Sequence, residues 1–478
     1  MSDTLIWLVA IPLAGALTTL LLPRIALGVV LASGLATAIA AGTLLYAVGT
    51  RGAMSYEIGG WSAGLGIALR ADGLSALLLM MVALVMLPAS VYSRTYFGRA
   101  AERARFWPLW LLLWTALNAL LLSGDLFNLY VTLELLGLGA VALAALGGGR
   151  AAVEAALRYL LVGLLGSMMF LAGVSLIYAG YGTLDMTALA RSVAPGPVAG
   201  TALALMTAGL LLKSALFPLH FWLPPAHGSA TAPVSAVLSA LVVKAAFYLV
   251  LRLWLEVFAH VVTPAAANLL GVLGAGAVLW GSWRALQAER LKLLAAYSTV
   301  AQLGYLFLFF PLLQALPPGP ERELAVGGLV LLALTHGFAK AGLFLAIGIV
   351  QHHSGHDTIR ELDGTAQRLP ATTFAMALGG VALIGLPPSG AFLGKWQLLA
   401  GAVATGQWLW AAVTLTGSLL AAAYIFRVLG HAFGHQVYPN RPVTVASEEW
   451  PALLLTVMAA VVLGLAGAPV WRLLEAGL

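Results

Sequence analysis

Cysteine is absent from this 478-residue chain, and charge is nearly so: Asp, Glu, Lys and Arg together supply 9% of it. The first absence excludes disulfides, thiolate nucleophiles and cysteine-ligated iron–sulfur clusters. The second excludes a soluble domain, since ordinary globular chains carry about 25% charged residues. What fills the chain is apolar, 61% of it, so its class is a polytopic membrane protein. Polar linkers are missing too, and little sequence is left over for a soluble catalytic domain. No Walker loop, dinucleotide fingerprint or nucleophile elbow is found, and no strands are expected for one to follow. The N-terminus has no basic region followed by a cleavage site, so segment 4–22 is expected to be a retained first helix.

A spanning helix needs about 20 predominantly apolar residues. Marking such windows gives about 14 transmembrane helices in an all-α fold. They fall near 4–22, 25–49, 73–93, 107–122, 124–146, 157–180 and 198–217, then 229–255, 264–284, 291–313, 325–352, 370–393, 400–428 and 450–470. The net charge of +6 would suit nucleic acid, but the basic residues fall between spans, so topology explains them and no nucleic-acid partner is expected. Connections after odd-numbered segments carry Arg24, Arg94, Arg99, Arg103, Arg105, Arg150, Arg158, Arg284, Arg290, Lys292, Arg360, Arg368, Arg427 and Arg441. The other side carries Arg51, Arg70, Arg191, Arg252, Arg322 and Arg472, a ratio of 14 to 6. The positive-inside rule then places the odd connections in the cytoplasm and both termini outside, on the periplasmic side of a cell inner membrane.

Two segments are interrupted alike. The seventh reads LLKSALFPLHFWLPP, with Pro218 five residues after Lys213; the twelfth reads VALIGLPPSGAFLGKW, with Pro387, Pro388 and Gly390 before Lys395. Proline opens a helix, which is tolerated at membrane depth only beside protein or a wet cavity. Interrupted spans in corresponding positions point to inverted repeats with an ion site at the break. The expected organisation is helices 1–3 over residues 1–106, one five-helix repeat over 107–257, a second over 258–430, and a last helix within 431–478.

Lysine is scarce as well, and its placement carries the functional reading. Of five lysines, Lys213, Lys244, Lys340 and Lys395 lie inside apolar segments, joined there by Glu134 in LYVTLELLGLGAVAL. Ionisable groups in the bilayer core are costly and mark ion or proton pathways. Glu134 is expected to face Lys213 on a neighbouring helix: a nearby carboxylate stabilises the ammonium, desolvation favours the amine, and withdrawing the carboxylate would release a proton. His336 and Lys340 are four residues apart and so share a helix face; histidine suits a relay. Packing contacts alone would account for any one of these residues, but poorly for the set. Ser298, Thr299 and Gln302 are candidates for holding bridging waters, or for plain helix packing. His220 and His227 flank the connection after the seventh segment, as a proton entry or as loop packing. His352, His353 and His356, beside Asp357, suggest zinc, but their spacing fits no standard framework. They are read as an interfacial turn, with no metal and no cofactor expected.

The stretch FPLHFWLPPAHGSATAPVSAVLSALVVKAAFYL resembles the signature of the proton-conducting, antiporter-like membrane subunits. That family includes Mrp-type cation/proton antiporters, the large pumping subunits of respiratory complex I, and subunits of membrane-bound hydrogenases. DLFNLYVTLELL, LKLLAAYSTVAQLGY, LTHGFAKAGLFL and LIGLPPSGAFLGKW resemble its other motifs, in order, over roughly residues 70–430. The resemblance implies a hydrated central axis, with Glu134 and Lys213 as a coupled pair, Lys244 and His336 as central relay, Lys340 beside it, and Lys395 as terminal site. It implies partners too: other membrane subunits, protons, and Na+ or K+. The expected function is an ion-translocating subunit of an Mrp-type antiporter of the D type. The alternatives are a pumping subunit of a redox complex and the membrane half of an inorganic-carbon uptake system.

Overall fold

A computed structural model describes residues 3–61, 66–434 and 446–475. The amino-terminal pair α1 (Thr4–Leu21) and α2 (Ala26–Arg51) packs against α3 (Gly73–Tyr96) and α4 (Ala100–Leu122), and α5 (Leu126–Ala145) packs between α4 and α6 (Gly149–Tyr181). The short α7 (Met186–Ser192) follows, then α8 (Pro197–Lys213) and α9 (Leu223–Ser229). Next come α10 (Ala232–Val257), α11 (Pro264–Gln287), α12 (Leu291–Ala315) and α13 (Pro320–Ser354). The chain continues through α14 (Pro370–Ile384), α15 (Gly390–Ala404) and α16 (Trp408–Ala432). It closes with α17 (Ser447–Leu465) and α18 (Gly467–Glu475). Among the described residues, 12 helices are long and apolar enough to cross a membrane.

The seventh and twelfth expected spans are the split ones. The seventh stops at Lys213, where Ala215 takes a left-handed φ of +54° and the Leu212 carbonyl accepts from the Ala215 amide at 3.2 Å and the Trp222 indole at 2.9 Å. The twelfth stops at Ile384, turns through Gly385 (φ +85°) and restarts behind Ser389, whose side chain accepts from the Phe392 amide. Lys395 therefore stands on α15, the second half of the twelfth span. The expected thirteenth span, 400–428, begins only at Trp408, because Gly406 (φ +67°) separates it from α15.

Two expectations are corrected. Strands do occur: β1 (Met54–Glu57) and β2 (Ala68–Ala71) pair antiparallel, Met54 opposite Ala71. Extended connections bridge further at the same end, Leu69 to Ser123 and Asp125 to Asp185, because a short loop leaving one helix lies beside its neighbour with its amides unpaired. Arg252, counted above as a connection residue, instead lies inside α10, 5% exposed, in an ion pair with Asp72 at 2.5 Å and another with Glu256. Arg441 lies outside the described residues.

The centre of the bundle is made by α10 and α13, whose most apolar windows are wholly buried. α13 has 35 residues, about 52 Å at 1.5 Å per residue, well beyond a hydrocarbon core of about 30 Å. Its middle is sealed and its ends protrude. α10 is not a uniform α-helix either, widening into π turns at Leu238–Val242 and Leu253–Val257. Such turns collect at functional positions because they offset carbonyls from the regular ladder.

Candidate functional site

The four lysines and His336 of the apolar segments point inward, and Glu134 is 17% exposed. Lys244, His336, Lys340 and Lys395 are each 4% exposed or less, and Lys213 is 9% exposed. Such groups persist in a low-dielectric interior only where polar partners replace water, so each partner matters.

Glu134, in the middle of α5, lies 3.6 Å from the Lys213 amine on the last residue of α8. A cavity of about 10 Å³ adjoins them, on the order of a single water. Small residues make the room: a Cβ on Gly137 would come to 3.4 Å from the Lys213 Nζ, and one on Gly166 to 3.2 Å from its Cγ. At 3.6 Å the pair is an electrostatic contact, looser than a charge-assisted hydrogen bond.

In α10, the Lys244 ammonium donates to the Ser239 carbonyl at 2.9 Å, inside the π turn. The Ser239 hydroxyl meets that of Thr299 at 2.7 Å, and the Thr299 hydroxyl reaches the Ala295 carbonyl at 2.9 Å. That same carbonyl accepts from the Lys340 ammonium at 2.6 Å, and the Ser298 hydroxyl accepts from it too. Lys244 and Lys340 are thus linked by a polar track across α10, α12 and α13, with Ser239 holding Lys244 on its carbonyl and Thr299 on its hydroxyl. His336, residue 17 of the 35 in α13, is buried one turn from Lys340 with neither ring nitrogen hydrogen-bonded.

The Lys395 ammonium reaches back across the break. It donates to the carbonyls of Ile384 (2.9 Å) and Leu383 (3.3 Å) and to Ser418 (3.0 Å), and lies 4.2 Å from the Tyr305 ring centre. The two carbonyls are the free C-terminal acceptors of α14, where the helix dipole favours a cation. Gln302 donates to Leu383 as well, at 2.8 Å, one turn along α12 from Ser298. Serine, threonine and glutamine on α12 therefore line the way from the central lysines to the terminal one. No hydrogen bond joins Lys213 to Lys244 among the described residues.

His227 is not a loop residue: it is fully buried, stacked 4.9 Å from Phe344, with both nitrogens unbonded. His220 stacks on Phe217 at 5.6 Å. A cavity of about 430 Å³ opens beside the first of these, lined by Gly228, Ser229, Lys292 and His352 among others. The histidine-rich turn is divided. His356 faces Glu361 at 3.7 Å, and Asp357 takes the Arg290 guanidinium at 2.8 Å. His352 and His353 lie instead beside Glu448.

Sequence reading missed the cluster at the end of α10. Asp72 caps α3, accepting from the Ser75 amide at 3.0 Å, and is fully buried against Arg252, with Arg70 at 3.7 Å. Burial raises its carboxyl, yet the two arginines and the cap hold it below its ordinary value of 3.8. Asp125, capping α5, is raised by burial despite accepting from the Phe127 and Asn128 amides. The available signal was the ADGLS stretch, an acidic residue three before a serine at a helix start.

Fold and interior together define a class: a polytopic α-helical membrane protein with a line of buried amines and two broken helices. Residues 123–421 match the family described as NADH:quinone oxidoreductase/Mrp antiporter, TM, and the chain belongs to that family. It is 38% identical over 444 residues to NADH-quinone oxidoreductase subunit N of Desulforudis audaxviator, covering 90% of this chain and 86% of that one. It is 28% identical over 395 residues to the D-type subunit of the Na(+)/H(+) antiporter of Bacillus subtilis, covering 82% and 78%. Its fold superposes on a chain of the Mrp complex from Dietzia sp. DQ12-45-1b with a TM-score of 0.90, at 26% identity over 99% of this chain and 96% of that one.

Proposed function

We propose that this chain is a proton- and cation-translocating subunit of an Mrp-type multisubunit antiporter that exchanges Na+ or K+ for protons across a cell inner membrane. Its termini face the periplasm, as the arginine distribution supports. The carrying observation is the polar track from Lys244 through Ser239, Thr299 and Ala295 to Lys340, sealed inside helices that are otherwise apolar. A packing role needs no such gathering of hydroxyls and carbonyls between two buried amines, and ionisable groups at that depth are costly and mark proton or ion pathways.

In this reading Glu134 and Lys213 are the coupled pair. While the carboxylate stays close, the ammonium keeps its proton; when α5 and α8 separate, the charged form loses its partner and the proton moves inward. Lys244, His336 and Lys340 relay it, the uncommitted imidazole of His336 accepting at one nitrogen and donating at the other. Lys395, held on the carbonyl end of α14, is the terminal site. The residues divide into halves at 107–257 and 258–430, each with one broken helix, which supports an inverted repeat with one ion site per half.

Mass spectrometry of the complex purified in mild detergent tests the assignment. Several small hydrophobic partners and no redox protein are expected. A second reading, the pumping subunit of a redox complex, has one specific support: the relative at 38% identity bears a NADH-quinone oxidoreductase name. Co-purifying iron–sulfur or nickel subunits would establish it and overturn the antiporter.

A further inference from the structure

We propose that His352, His353 and Glu448 form a binding site for a divalent transition-metal ion of the zinc class. The two histidines occupy the last turn of α13, which ends at Gly355 in a left-handed conformation (φ +79°). Glu448 comes from the first turn of α17, 95 residues later in the sequence. One ligand atom from each lies within 4.8 Å of the other two, and His353 Nε2 is already 3.3 Å from a Glu448 oxygen.

Zinc binds nitrogen and oxygen at about 2.0–2.2 Å, so ligands on one ion stand about 3.3 Å apart. Rotation of the two imidazoles, whose centres are 5.1 Å apart, supplies the remaining closure. The frame behind them is fixed. Glu449, next to Glu448, is buried and accepts from the Thr372 amide at 3.0 Å and its hydroxyl at 2.6 Å, which pins the start of α17. Arg368 donates to the His353 carbonyl at 3.4 Å, steadying the end of α13 without occupying a ring nitrogen.

Two imidazoles and one carboxylate suit zinc or a similar borderline ion rather than magnesium or calcium, which take oxygen. Three protein ligands leave one position for water. A partly exposed histidine–glutamate pair alone adds little stability, and it would not require a second histidine alongside. His352 also lines the cavity of about 430 Å³ that holds Lys292, so a bound dication stands at its rim. Resting on the transport reading above, the ion would slow proton entry by that route.

The test uses the assembled complex, stripped with chelator and titrated with Zn2+ against a chromogenic competitor, with thermal unfolding followed in parallel. Wild type should take up zinc and unfold at a higher temperature with it. His352→Ala, His353→Ala and Glu448→Gln should each weaken uptake at least tenfold and abolish that rise. His356→Ala, whose ring faces Glu361 rather than the cluster, should leave both unchanged. X-ray absorption on the loaded wild type should show nitrogen and oxygen ligands without sulfur. No uptake by wild type, full uptake by Glu448→Gln, or loss on His356→Ala would each overturn the site. Zinc should also slow ion exchange by wild type and spare the Glu448→Gln form. A protein that binds zinc but exchanges no ions in any form would keep the site and sink the transport reading.

Discussion

Glu134 and Lys213 show how much rests on a single contact. Among the described residues Lys213 has one partner of opposite charge, at 3.6 Å, whereas Lys395 has three acceptors and an aromatic face. Removing either member of the pair should therefore lower exchange about tenfold or more, equivalent to at least 1.4 kcal/mol of barrier. Glu134→Gln and Lys213→Ala, assayed by proton uptake into everted vesicles at equal abundance, are the check; two variants with normal exchange would remove the pair from the mechanism. Thr299→Val probes the track itself. It deletes the hydroxyl between Ser239 and Ala295 while keeping shape and the Lys244–Ser239 bond. Exchange should slow with assembly intact. Asp72 has a structural role, and breaking a buried ion pair from one side costs about 3–5 kcal/mol, so Asp72→Asn should melt well below wild type at neutral pH. Because its folded carboxyl lies below 3.8, its contribution is full above that value and fades as pH falls through the lower one. The two melting temperatures should converge in acid, which detergent melts across pH will show.

The broken helices and π turns place those residues. α8 ends at Lys213 and α14 ends just before the segment that carries Lys395, so each break sets an amine beside a helix end. The close approach of α6 to α8 depends on Gly166, where a Cβ would lie 2.7 Å from the Gly209 carbonyl. Gly166→Ala must push these helices apart or strain them, an overpacking cost of about 1–3 kcal/mol. Gly163, three residues before on the same helix, has open space around it. Gly163→Ala should melt like wild type while Gly166→Ala melts lower and transports less. Equal melting of the two would show that the contact does not bear on packing.

The molecule as a whole joins two kinds of surface. Its centre, α10 and α13, is wholly enclosed, while α1 and α2 leave most of their side chains outward. An apolar exterior of that kind suits lipid and other membrane subunits, and the Mrp complex chain of equal fold sits in a multisubunit assembly. Exchange by the assembled complex in vesicles should require a sodium or potassium gradient. Proton movement that persists with both cations absent and instead follows an electron donor would favour the redox reading.

Composition and segment length by themselves determined the class, the approximate spans and the interrupted seventh and twelfth helices, because hydrocarbon demands apolar length and prolines grouped with glycine or other prolines mark where a helix stops, whereas the single Pro12, Pro88 and Pro108 lie inside continuous helices. They also picked out Glu134, Lys213, Lys244, His336, Lys340 and Lys395, since charge in an apolar run is visible without coordinates. Partners were another matter. That Ser239 and Thr299 connect two lysines, that Arg252 faces Asp72 across 180 residues, and that Glu448 rather than His356 joins His352 and His353 were decided only by tertiary structure. Each is a meeting of side chains on helices far apart in sequence. Periodicity tells which face of a helix is apolar; packing alone settles which neighbour that face meets.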